Sequence, residues 1–177
     1  MNIMTSLRNL LFFGLTMLLL HSCGMGGWRV VDGAEFTVEF PGEPKDTATM
    51  QGKISGGKLF YEPVEGGLDS NLYYAVSFYT LPDSAKLLGE QLNDMLYTDA
   101  QIYAWGIGAI LADSGKVVKS GMTEGREYKV LLSQNAGVTT IRKFAYGKRL
   151  YTLTVITDNR NLDNSSIRRF MESFKLK

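Results

Sequence analysis

The chain has little cysteine or histidine: one of each in 177 residues. His21 and Cys23 stand one residue apart in "LLLHSCG", Leu18–Gly24, and raise the question of a metal or thiol site. A long hydrophobic run is also missing. The best one, Leu10–Leu20, is eleven residues broken by Gly14 and Thr16. At about 1.5 Å per residue it covers about half of a roughly 30 Å bilayer core, so no permanent span is expected. Charge of one sign is lacking as well, with 19 Lys and Arg against 18 Asp and Glu. A nucleic-acid binder should carry a basic excess or stripe, so no nucleic-acid partner is expected.

What the chain does have begins at its N-terminus. Arg8 is the only charge before a short apolar core that ends in small residues, the marks of a secretory signal peptide. Leu20-His21-Ser22-Cys23 resembles the lipobox of bacterial lipoproteins, with Leu three residues before the cysteine and a small residue immediately before it. The resemblance implies cleavage between Ser22 and Cys23 and acylation of the Cys23 sulfur. More than one acyl chain then gives durable anchoring, since a single chain holds only marginally. The expected organisation is a signal peptide over 1–22, a lipidated flexible tether over 23–27, and one domain over 28–177.

Processing on this pattern discards His21 and blocks Cys23. The remaining chain would have neither thiol nor histidine, which rules out zinc-type Cys/His sites, cysteine nucleophiles and Ser–His–Asp triads. Carboxylate pairs, Ser–Lys, Tyr and oxygen-liganded metals survive as routes to catalysis. The mature chain is also formally neutral, because Arg8 is the only charged residue removed.

Past the tether, Trp28–Val31, a turn at Asp32-Gly33 and a strand over Glu35–Phe40 are expected. Phe36, Val38 and Phe40 alternate with Thr37 and Glu39 at the period of a half-buried strand. Residues 46–63 read as a hairpin turning at Ser55-Gly56-Gly57, with Val64–Asn71 as a loop. Leu72–Pro82 reads as a strand with Tyr74, Val76, Phe78 and Thr80 on one face. A long helix follows, N-capped by Asp83 or Ser84 and ending near Gly106 or Gly108. Its apolar face takes Leu88, Leu92, Met95, Leu96, Ile102 and Tyr103, with Thr98-Asp99 a weak point. A strand pair is expected within 110–119, then a turn near Gly121.

"REYKVLLSQ", "VTTIRKFAY" and "RLYTLTVIT" read as three consecutive antiparallel strands, the last two joined at Gly147-Lys148. Ile167, Phe170, Met171 and Phe174 make the stripe of a C-terminal helix. Arg168, Arg169 and Lys175 read as its solvated side. The fold class is α+β, an antiparallel β-sheet flanked by helices.

"FTVEFPGEP" at Phe36–Pro44, "GMTEGREY" at Gly121–Tyr128, "KRLYTLTV" at Lys148–Val155 and "FMESFKL" at Phe170–Leu176 together resemble the PsbP-like superfamily. The resemblance implies an α-β-α sandwich that works in binding or assembly and not in catalysis. Manganese or calcium, associated with some photosynthetic members, has no dense carboxylate or histidine cluster to hold it here, so no cofactor or metal is expected.

Several groups have residue types that could form sites. Tyr97, Tyr103 and Trp105 form a possible ligand cleft beside the long helix, although such residues more commonly pack in a core. Glu124, Arg126 and Glu127 read as surface ion pairing, with Glu127 pointing away from the other two. Glu62, Glu65 and Asp69 match no calcium loop. Ser84 and Lys86 lack the spacing of a Ser–Lys nucleophile. Asp46-Thr47-Ala48 and Asp83-Ser84-Ala85 resemble acceptors of a bacterial O-glycosylation system, and Asn164-Ser165-Ser166 is a formal sequon. No catalytic residue is assigned.

The functional expectation is a lipid-anchored envelope protein that binds an envelope partner, at the outer membrane with its domain facing the periplasm. The alternative is a periplasmic small-molecule or cation binder.

Overall fold

The computed structural model describes residues 27–51, 54–64, 69–81, 89–133, 136–158 and 164–177. Two antiparallel sheets and two helices make up these residues. The first hairpin pairs β1 (Arg29–Asp32) with β2 (Phe36–Phe40). Its alternation is as the sequence predicts: Phe36, Val38 and Phe40 are buried while Thr37 and Glu39 are half-exposed.

The main sheet is built from β3 (Lys45–Gln51), β4 (Ile54–Tyr61), β5 (Asn71–Thr80), β6 (Ile110–Leu111), β7 (Lys116–Ser120), β8 (Thr123–Leu131), β9 (Val138–Tyr146) and β10 (Arg149–Thr157). Its order is β3-β4-β5-β10-β9-β8, with β6 and β7 both on the outer edge of β8. The three-strand meander β8-β9-β10 lies where the sequence places it, and Gly147, at φ 59°, supplies the positive φ of the two-residue turn before Arg149.

Three expectations change. The strands β3 and β4 pair as far as Gln51 with Ile54, and Ser55-Gly56-Gly57 lies inside β4. A Cβ on Gly56 would come 2.6 Å from the Phe78 carbonyl oxygen and one on Gly57 2.7 Å from the Phe78 ring. These glycines admit close packing instead of forming a turn. Next, β6 and β7 do not pair with each other: β6 pairs with Val130–Leu131 and β7 with residues 123–127. Finally, a strand the sequence did not signal, β11 (Lys175–Leu176), pairs with β2 to complete a three-stranded sheet β1-β2-β11.

The long helix α1 spans Glu90–Gly106, and the short helix α2 spans Ser165–Ser173. The α1 start expected at Asp83 or Ser84 lies outside the described residues. Asn164 caps α2, accepting from the Ile167 backbone N–H at 3.0 Å. This makes the formal sequon a helix cap.

Side-chain alternation sends the main sheet's two faces to different partners. On one face Tyr74, Val76, Phe144, Tyr151, Leu153 and Val155 pack against Phe36, Val38 and Phe40 of the small sheet and Ile167, Phe170, Met171 and Phe174 around α2. On the other, Tyr128, Val130 and Ile141 pack against Ala100, Ala104 and Ala109 of α1 and its exit. One covering layer is a single helix, whereas the other combines a small sheet with a short helix. The α+β antiparallel class holds, in a form more elaborate than a plain α-β-α sandwich. The α1 stripe also differs from expectation: Leu96, Ala100 and Ala104 are buried, while Ile102 faces solvent at 59% exposure.

Candidate functional site

The sheet face under the small sheet and α2 is not covered throughout. Beyond Phe144 the same alternation puts Arg142 and Thr140 of β9, with Glu127 and Lys129 of β8, beside the flank of α2. A groove of about 350 Å³ results, lined by these residues with Lys116, Ile167, Arg168, Met171 and Glu172. That volume is at the small end of clefts that hold ligands.

A shielded ion pair forms the groove floor. Arg142 Nε and Nη2 donate to Glu127 Oε2 at 2.9 and 2.5 Å, with only 13% and 12% of the two side chains exposed. Arg142 Nη1 donates to the Met171 carbonyl at 2.8 Å, satisfying a last-turn carbonyl of α2 that lacks a helical partner. Lys116 Nζ stands 3.6 Å from the other Glu127 oxygen. Lys129 Nζ donates to Thr140 Oγ1 at 2.7 Å.

A second polar cluster lies between α1 and the opposite face. Lys143 Nζ, on a side chain only 2% exposed, donates to Asp99 Oδ2 at 2.5 Å and Thr152 Oγ1 at 3.0 Å. Tyr79 donates to Asp99 Oδ1 at 2.8 Å. Burial pushes the Lys143 pKa down and the Asp99 charge pulls it back. Burial and then the Asp99 charge push the Tyr79 hydroxyl up. Asp99, in the segment read as a weak point, thus fastens α1 to the sheet.

The sequence-predicted residues are placed as follows. Tyr97 is partly exposed, 6.3 Å from the Tyr128 ring centre. Tyr103 turns inward, with Lys143 Nζ 6.0 Å from its ring centre. Trp105 is 72% exposed. None of the three lines the groove beside α2 or a recess of about 90 Å³ at the N-terminal end of α1. That recess takes Glu124 and Arg126, and Arg126 Nε donates to Asn93 Oδ1 at 3.0 Å. Glu124 makes an exposed pair with Lys119 at 3.7 Å. Glu127 points to the other face, as the alternation predicts, but is shielded and not a surface group.

Asp69 accepts from the Tyr74 hydroxyl at 2.7 Å, and Glu62 stands 3.8 Å from Lys45. Thr47 lies in β3 with its hydroxyl on the Lys58 carbonyl. Ser22, Cys23, Glu65, Ser84, Lys86 and Asp83-Ser84-Ala85 lie outside the described residues. Sequence reasoning did not find Arg142, Lys143 or Asp99 as partners. The one available signal was a pair of adjacent cations, Arg142 and Lys143, in a strand otherwise rich in buried residues.

An antiparallel sheet carrying a long helix on one face and a small sheet with a C-terminal helix on the other defines an α+β domain. Among solved structures, cyanobacterial PsbP (CyanoP) from Synechocystis sp. PCC 6803 matches with a TM-score of 0.59 and 13% identity, over 87% of this chain and 95% of that one. LpqN of Mycobacterium tuberculosis, involved in cell envelope biogenesis, matches with a TM-score of 0.47 and 10% identity, over 88% of this chain and 94% of that one. No protein-family model matches the chain, and no curated protein matches it in sequence. The described residues therefore have a PsbP-like fold. The likeness is one of fold and assigns no residue a role.

Proposed function

We propose that this is a lipid-anchored cell-envelope protein whose PsbP-like domain is a non-enzymatic binding or assembly module. The observation that carries the anchor is Leu20-His21-Ser22-Cys23 at the end of a short apolar segment. The module reading is supported by how the shielded carboxylates are used. Asp99 and Glu127 each hold a cation at 2.5 Å. A hydrolase built on carboxylates needs two of them converging on substrate.

The anchor is tested by labelling cells with an alkyne palmitate analogue. Labelling should disappear in Cys23→Ala, and persistent labelling would overturn the anchor. Crosslinking in intact membranes should capture a defined envelope partner, and a chain that stays solitary would count against the module. Gly24-Met25-Gly26-Gly27 lacks the acidic cluster some bacteria use to send lipoproteins outward, which supports an outer-membrane protein with a periplasm-facing domain. Protease added to intact cells should leave that domain uncut.

A second reading, a periplasmic binder of a small ligand, is favoured by the groove beside α2.

A further inference from the structure

Four cationic side chains, Lys116, Lys129, Arg142 and Arg168, line the groove with two carboxylates, Glu127 and Glu172, a surplus of two positive charges. The cations are not equivalent. Arg142 spends its three nitrogens on Glu127 and the Met171 carbonyl, and Lys116 leans on the same Glu127. Among the described residues, Lys129 bonds only the neutral Thr140 hydroxyl and Arg168 is held by no carboxylate.

The shielded floor pair is costly. Removing two charges from water often outweighs their attraction, and apolar residues of similar size would serve stability as well. What the pair does is neutralise Glu127 and hold Arg142 rigid, so that the free charge of Lys129, from β8, and Arg168, from α2, faces the groove from two elements.

We propose that this groove binds a dianionic phosphate group, with Lys129 and Arg168 as its charged contacts and the Thr140 hydroxyl as a neutral one. A phosphate monoester carries about −1.5 to −2 at neutral pH and three acceptor oxygens, which matches the surplus charge. The same chemistry is offered by a free phosphate ester or by the headgroup of a phosphatidic-acid-like lipid. The inference rests on the binding-module reading and not on the anchor. A failed titration leaves Cys23 labelling standing, and loss of labelling leaves the titration standing.

The test uses the full chain in the uncharged detergent dodecyl maltoside, titrated calorimetrically with phenyl phosphate. Saturable binding is expected, with competition by inorganic phosphate. Lys129→Gln with Arg168→Gln should weaken it by about tenfold or more, the worth of lost charge-assisted bonds. Lys175→Gln, exposed on β11 and outside the groove, should leave it unchanged. If the double glutamine variant does not fold, as judged by its melting transition, Lys129→Gln and Arg168→Gln are read singly.

Vesicles of phosphatidylcholine with phosphatidic acid form the second arm. Sedimentation with these vesicles that depends on Lys129 and Arg168, without phenyl phosphate binding, supports the site with a lipid headgroup as source. The proposal is overturned if neither probe binds, or if Lys175→Gln weakens binding as much as the groove variants do.

Discussion

The two faces of the main sheet are covered by opposite strategies. Under the small sheet and α2 the cover is held by rings: Phe170 lies 5.2 Å from Phe40 and 5.3 Å from Tyr74, both edge-on, and Phe174 stacks on Phe144 at 5.6 Å. Under α1 the helix contributes Leu96 and two alanines, and the largest buried side chain contributed by β9 on that face is Lys143. Small side chains let α1 approach closely, but they remove little apolar area from water. Position is then set by Asp99, which holds Lys143 and Tyr79 together. The aromatic face derives its stability from area, whereas the helix face derives its register from one carboxylate.

The comparison breaks most visibly at Phe170, which is fully buried at the centre of the rings. Phe170→Ala should cost about 3–5 kcal/mol in urea unfolding, from lost transfer energy and a cavity that rigid rings cannot close. On the helix face, Asp99→Asn strands a buried ammonium and should cost about 3 kcal/mol. Lys143→Met should cost less, about 1–2 kcal/mol, because Asp99 is 25% exposed and keeps its bond from Tyr79. Equal losses in the two variants would mean that desolvation of Lys143 does not govern this face.

Alkaline pH acts on the buried tyrosines of both faces with one sign. Burial raises the hydroxyls of Tyr74 and Tyr151 on the aromatic face and Tyr79, Tyr103 and Tyr128 on the helix face, Tyr128 and Tyr151 to about 12. A raised acid keeps its proton in the folded chain after the unfolded chain has lost it. Stability is therefore full below pH 10, the ordinary tyrosine value, and declines as pH rises towards 12. Lys143 works oppositely: its lowered pKa means that the unfolded chain binds the extra proton below 10.5, so its contribution improves with pH. Five tyrosines outnumber one lysine, and the urea midpoint should fall as pH rises past 10. Tyr79→Phe should flatten that fall, and a midpoint that rises instead would refute the assignment.

How much of this was legible depends on whether the signal was local. The alternation of β2 and β5, the meander β8–β10 and the Ile167–Phe170–Met171 stripe were readable because each element buries one side against apolar neighbours. Gly56-Gly57 misled because glycine marks both turns and close approaches, and only the ring of Phe78 on the next strand tells them apart. β11 has two residues, too few to show a period. Lys143 and Asp99 are 44 residues apart, and no local pattern joins them. The alternation already put Lys143 on the side of Ile141, so its burial could have been suspected once a helix was assigned to that face. The groove was missed for the same reason, since Arg142 meets Glu127 and Met171 only through strand register and helix docking.

The smallest expected effect comes from a carboxylate three positions from one of the shielded ones. Glu124 and Glu127 share β8 but point to opposite faces, and they look alike in sequence. Glu127 is shielded against Arg142, so Glu127→Gln leaves a shielded guanidinium short of its counter-charge and should cost about 2 kcal/mol. Glu124 and Lys119 are each 66% exposed at 3.7 Å. Water screens that pair, and holding two long side chains together costs rotamer freedom, so Glu124→Gln should change stability by about 0.5 kcal/mol or less. Added salt should erase even that difference for Glu124 while leaving most of the Glu127 loss, because screening reaches exposed pairs far better than shielded ones. Salt-sensitive losses of equal size at both positions would show that the groove floor is as wet as the opposite surface.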